Sequence, residues 1–166
     1  FCMFHTSTTP FSISQTPFSG DITGEVIDAF RQQGIAIGLY FSPDDFHFLH
    51  GKGLPVHRGV LPEDCTGLLA HNQAQMRELL TNYGKIDIMW YDVSWPLSSP
   101  EAWESRKMNR MVRRLQPDII INNRSQLPED FGTPEEHIRA EDAGRAWEAC
   151  MTFNGSWGYM PYAPAE

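Results

Sequence analysis

Runs of mostly apolar residues alternate along the chain with stretches that are apolar at every third or fourth position. IAIGLYF (35–41), IDIMWY (86–91) and DIIINNR (118–124) are of the first kind and read as buried strands. EVIDAFRQQG (25–34) reads as a helix, with Gly34 where its C-terminal cap would fall. TGLLAHNQAQMRELLTNYG (66–84) is helical by its spacing of Leu68, Leu69, Met76, Leu79 and Leu80, and Gly84 ends it. Ser99 as N-cap and Pro100 as first helical residue predict a helix over 98–117, stopped by Pro117. GTPEEH (132–137) is expected to open a short helix, with Thr133 as N-cap and Glu136 completing a capping box. ACMTFN (149–154) is a possible fourth strand, and residues 44–64, rich in His, Gly and Pro, read as a loop.

Apolar strands alternating with helices indicate an α/β fold whose parallel sheet is covered on both faces. An open doubly wound sheet and a (β/α)8 barrel both fit. No GxGxxG turn is present to favour the first. Polar residues gather at the strand ends: Tyr40 and Asp44, then Asp92, Arg124 and Asn154. That is where a barrel collects its functional groups, so part of a (β/α)8-like, TIM-type barrel is expected. A whole barrel takes about 250 residues, and the 166 here would hold about four of its eight strands. The chain opens on FCMFHTSTT and closes on YAPAE. It reads as one partial barrel domain, 1–166, truncated at both ends and poorly stable alone because its sheet edges lack partners.

The formal net charge of −8 disfavours nucleic acid and anionic membrane surfaces as partners. No apolar run approaches the ~20 residues of a membrane span. Cys2, Cys65 and Cys150 form no CxxC pair and are expected as buried free thiols. His47, His50 and His57 share one loop, but without a zinc motif such as HExxH. A pocket rim suits them better than a metal, and no metal is expected. GxSxG is also absent, so no esterase-type nucleophile is supported.

Asp92 is the first candidate for chemistry. It ends an apolar run and lies between Trp90 and Trp95, whose indole faces suit the C–H surface of a sugar. Retaining glycosidases need a second carboxyl group about 5–5.5 Å from the first. Glu135 and Glu148 are the two candidates from other segments. Glu135 is equally explained as an acid complementing a helix dipole, and Glu148 as a structural acid. Arg124 could bind sugar hydroxyls, tune a carboxylate, or form a structural ion pair. Trp157 could stack on a sugar or simply pack.

FCMFHTSTTPFSISQTPF, GLYFS, MWYD, INNR, TPEEH and WEACMTFNGSWGY occur in an order that resembles the catalytic domain of α-L-fucosidases of glycoside hydrolase family 29. The resemblance implies an irregular (β/α)8-like barrel, retaining hydrolysis of α-L-fucosides, and no metal or organic cofactor. It places the nucleophile on Asp92. Tyr40, Trp90, Arg124 and Trp157 fall on the family's fucose pocket. Its acid/base varies in position and maps to Glu135 in some members and Glu148 in others, with Glu135 favoured here. The implied partner is a fucosylated oligosaccharide or glycoconjugate. The implied setting is secreted, periplasmic or lysosomal. Two departures stand out: the family's KHHDG-like histidine pair would precede Phe1, and Val93 replaces the small residue that usually follows the nucleophile. A non-catalytic carbohydrate-binding remnant is the alternative reading.

Overall fold

A computed structural model describes residues 1–54, 62–92, 97–138, 144–152 and 154–162. Helix α1 (Ile22–Gln32) starts at Asp21, whose Oδ1 accepts from Gly24 N at 2.9 Å. It ends through Gly34, at φ 71°, where Ile35 N donates back to Phe30 O. Only a residue without Cβ takes that left-handed turn at little cost. Strand β1 (Gly38–Phe41) follows. Residues 44–64, expected as a loop, instead hold helix α2 (Phe46–Gly51) and a 3₁₀ turn (Pro62–Cys65). Asp45 caps α2, accepting from Phe48 N at 2.9 Å.

Helix α3 (Thr66–Asn82) buries Leu68, Met76, Leu79 and Leu80, the spacing that predicted it. It leads to strand β2 (Ile88–Tyr91). The expected helix over 98–117 forms in two parts. Ser99 Oγ accepts from Ala102 N, as a cap should, but residues 100–104 make turns and the regular helix α4 spans Ser105–Leu115. The turns bury Trp103, whose indole N–H donates to Leu97 O at 2.8 Å. Strand β3 is short (Ile120–Ile121), and a 3₁₀ turn (Asn123–Ser125) follows it.

The three strands pair in parallel in the order β1-β2-β3. Successive side chains of a strand point to opposite faces. Phe41, Met89, Tyr91 and Ile121 are buried in one core with residues from α1, α3 and α4. Tyr40 and Ile120 remain exposed, and Trp90 is half-buried. Among the described residues, the Tyr40 side of the sheet is left open.

Two expectations fail in the last third of the chain. GTPEEH does not open a helix. Phe131–Gly132 forms strand β4, Glu135 bridges to Cys150, and Glu136 takes a left-handed φ of 56°. The capping box is therefore absent; Glu136 accepts instead from the backbone N–H and hydroxyl of Thr152. Local capping signals lost here to pairing with a segment about 15 residues downstream. Among the described residues of ACMTFN no strand forms beyond the Cys150 bridge; β5 is Ala146–Trp147, parallel to β4. A bridge between Asn122 and Phe131 links this pair to the main sheet. Of the cysteines, only Cys65 is buried; Cys2 and Cys150 are half-buried free thiols.

Candidate active site

The β1–β2 register sets Tyr40 opposite Trp90. Their rings stack at 5.3 Å between centroids and 16° between planes. Beyond them the chain leaves β2 at Asp92, whose N–H still donates to Phe41 O at 3.0 Å. Asp92 is thus fixed at the C-terminal end of the sheet. The Tyr40 hydroxyl donates to its Oδ2. Partial burial, together with this carboxylate, pushes the Tyr40 phenol well above its ordinary range. It therefore remains a donor at any ordinary pH.

Arg124 arrives from the end of β3. Its Nε donates to Thr133 Oγ1 at 2.8 Å, and Thr133 is in turn held by Asn123 Oδ1. With its stem so anchored, the guanidinium reaches both acids. Nη1 donates to Asp92 Oδ1 at 3.4 Å and Nη2 to Glu135 Oε2 at 2.5 Å. Arg124 Cζ also lies 5.2 Å from the centroid of the Trp90 ring. The Glu135 side chain is 42% exposed and ion-paired to Arg124, itself 18% exposed. Asp92 is 34% exposed, open enough for a substrate to approach.

Glu148, the alternative partner for Asp92, goes elsewhere: its Oε1 accepts from the indole N–H of Trp90. Trp157 lies apart from the Asp92 contacts just given. It is 62% exposed and lines a pocket of about 270 Å³ with Met151, Thr152, Asn154, Ser156 and Gly158. His47 stacks on Phe11 at 4.0 Å. His57, Val93 and Trp95 lie outside the described residues. Among the described residues no cluster of three or more His, Cys, Asp or Glu is spaced to hold a metal. Burial, and next the charge of Glu135, push the Cys150 thiol up.

Sequence reasoning overlooked Thr133 as the residue that steers Arg124. It also overlooked Asn122, whose fully buried amide accepts from Tyr91 N at 3.0 Å and donates to Tyr91 O at 2.9 Å. Two adjacent asparagines at the end of an apolar strand were the available signal, since buried polar groups must find partners.

Two carboxylates are bridged by one guanidinium beside a stacked Tyr40–Trp90 pair, at the strand ends of part of a (β/α)8-like barrel. The family model for alpha-L-fucosidase matches residues 1–165, and the chain belongs to that family. It is 33% identical over 165 residues to alpha-L-fucosidase 1 of Arabidopsis thaliana, which covers 92% of this chain and 27% of the relative. It superposes on the solved alpha-L-fucosidase isoenzyme 1 from Paenibacillus thiaminolyticus with a TM-score of 0.80 and 30% identity, covering 99% of this chain and 45% of that one. A mutant of the alpha-L-fucosidase AlfC, solved with 4-nitrophenyl-α-L-fucopyranoside, is 29% identical with a TM-score of 0.63, over 82% of this chain and 47% of that one. The chain thus spans about a quarter to a half of the length of these relatives.

Proposed function

We propose that the protein carrying this chain hydrolyses α-L-fucosides by double displacement, and that residues 1–166 supply part of its catalytic barrel. Asp92 is the nucleophile and attacks the anomeric carbon of the fucosyl group. Glu135 donates a proton to the departing glycosidic oxygen. In the second half, Glu135 takes a proton from water, which attacks the fucosyl ester and frees Asp92. Glu135 must carry a proton as the leaving oxygen departs, a role that requires it to give up the ion pair with Arg124. Tyr40 and Arg124 hold the two Asp92 oxygens in a fixed orientation. Trp90 offers an apolar face to a 6-deoxy sugar and its methyl group. The substrate is a fucosylated oligosaccharide or glycoconjugate, consistent with the aryl fucoside held by the AlfC mutant.

The observation that carries this reading is the single guanidinium in contact with both Asp92 and Glu135. Proton NMR of the full-length protein acting on an aryl α-L-fucoside tests it. Retention releases α-L-fucose first, with mutarotation following. A β anomer formed first would exclude a glycosyl-enzyme on Asp92.

A further inference from the structure

We infer that Glu148 is a positioning residue for the indole of Trp90 and not a proton donor; this rests on the reading above. Strand pairing fixes where Trp90 leaves β2 but leaves both of its side-chain torsions free. Stacking on Tyr40 sets the plane of the indole at 5.3 Å. A half-turn about Cβ–Cγ keeps that plane and carries the N–H to the opposite edge, so stacking alone leaves two orientations open. An N–H donor in the plane of the ring is directional, and here it points at Glu148 Oε1. Plane and in-plane direction are then both set, and the Arg124 cation lies against the same ring.

Glu148 is itself placed by backbone. Its N–H donates to Gly132 O at 3.0 Å, just past the β4–β5 pairing. Glu135 leaves the same strand pair a few residues later, where Cys150 N donates to Pro134 O and Glu136 N to Cys150 O, each at 2.9 Å. One ladder therefore delivers two glutamates to different targets. Glu135 meets the arginine that also holds Asp92, and Glu148 meets the nitrogen of an aromatic platform. A carboxylate oxygen occupied by an indole N–H is poorly placed to protonate a glycosidic oxygen.

An orienting role has its own kinetic pattern. A platform that grips the sugar equally in ground and transition states acts on KM and leaves kcat nearly unchanged. In the full-length protein, Glu148→Ala is expected to raise KM about tenfold, the scale of one lost hydrogen bond, equally for aryl fucosides with good and poor leaving groups. Glu148→Gln keeps an acceptor oxygen for the indole and should stay within about twofold of the parent protein. Trp90→Phe removes the donor, so adding Glu148→Ala to it should change KM by less than about twofold. The same set measured as Kd for L-fucose by calorimetry reads the coupling without turnover. It thereby separates failure of this inference from failure of the fucosidase reading. If Glu148→Ala does not fold, Glu148→Gln and Trp90→Phe still decide. The inference is overturned if Glu148→Gln is as impaired as Glu148→Ala, if the kcat loss grows as the leaving group worsens, or if the two substitutions act independently.

Discussion

Tyr40 and Asp92 stand 52 residues apart, at the ends of neighbouring parallel strands, and are joined by a hydrogen bond from the phenol to the carboxylate. Parallel pairing brings them together, so the bond depends on the β1–β2 register and no local sequence motif encodes it. Tyr40→Phe leaves the stacking face and removes the donor. A hydrogen bond to a charged group is worth about 1.5–3 kcal/mol. The expected result is a drop in kcat/KM on an aryl fucoside of about 10- to 100-fold, with kcat carrying most of it. Because the phenol titrates far above neutrality, the parent protein should show no loss of activity between pH 8 and about pH 10 attributable to Tyr40.

Arg124 is the hinge of the site. A lysine there keeps one positive charge but cannot serve Asp92, Glu135 and Thr133 at once, because an ammonium lacks the planar fork. Arg124→Lys should lower kcat/KM by about 100-fold while leaving the far-UV circular dichroism unchanged. Activity within about threefold of the parent protein would mean that the shared guanidinium is dispensable.

Asn122 closes the sheet just below the site. Its amide satisfies both backbone groups of Tyr91, the residue before Asp92. Asn122→Ala strands a buried N–H and C=O, at about 1–3 kcal/mol for each group left unpaired. A lower urea midpoint in the full-length protein, together with weaker turnover, is expected. A change in turnover with an unaltered midpoint would place the effect elsewhere.

Three acids on the helix layer set an acid limit to stability. Burial alone would push Asp21 up, but hydrogen bonds from Tyr83, Gly24 and His5 outweigh it and hold the carboxyl below its ordinary 3.8. Burial of Asp45 is likewise outweighed by His71 and Phe48, and burial of Glu78 by Ser7 and Thr6. A depressed carboxyl binds its proton later in the native state than in the unfolded one. Its stabilisation is therefore present above the ordinary values of 3.8 and 4.5 and is lost as pH falls through the depressed ones. Urea midpoints should be flat from pH 7 to about pH 5 and fall below about pH 4. Asp45→Asn should shrink that fall, since the amide has no proton to gain.

The pattern of apolar positions located α1, α3, β1, β2 and β3, most clearly α3 and β2, whose buried residues recur at helical and alternate spacing. Helix α2 had a readable start in Asp45 before an apolar run, but the surrounding His, Gly and Pro masked it. At Thr133 the capping signal misled. Its hydroxyl, read as a helix cap, instead accepts from Arg124 and donates to Asn123. The pairing of β4 with β5 depends on two-residue strands too short to show a period. Among the site residues, Tyr40, Trp90, Asp92, Arg124 and Glu135 converge because each ends or follows a strand. Spacing could not separate Glu135 from Glu148, since both leave one strand pair; their side chains meet different partners, Arg124 and the Trp90 indole.

Removing the nucleophile tests the central claim most directly. In the full-length protein, Asp92→Gly should abolish turnover of an aryl α-L-fucoside. Sodium azide should then restore consumption of the substrate, entering the emptied space and yielding fucosyl azide of inverted configuration. Near-normal hydrolysis by Asp92→Gly without azide would contradict the account.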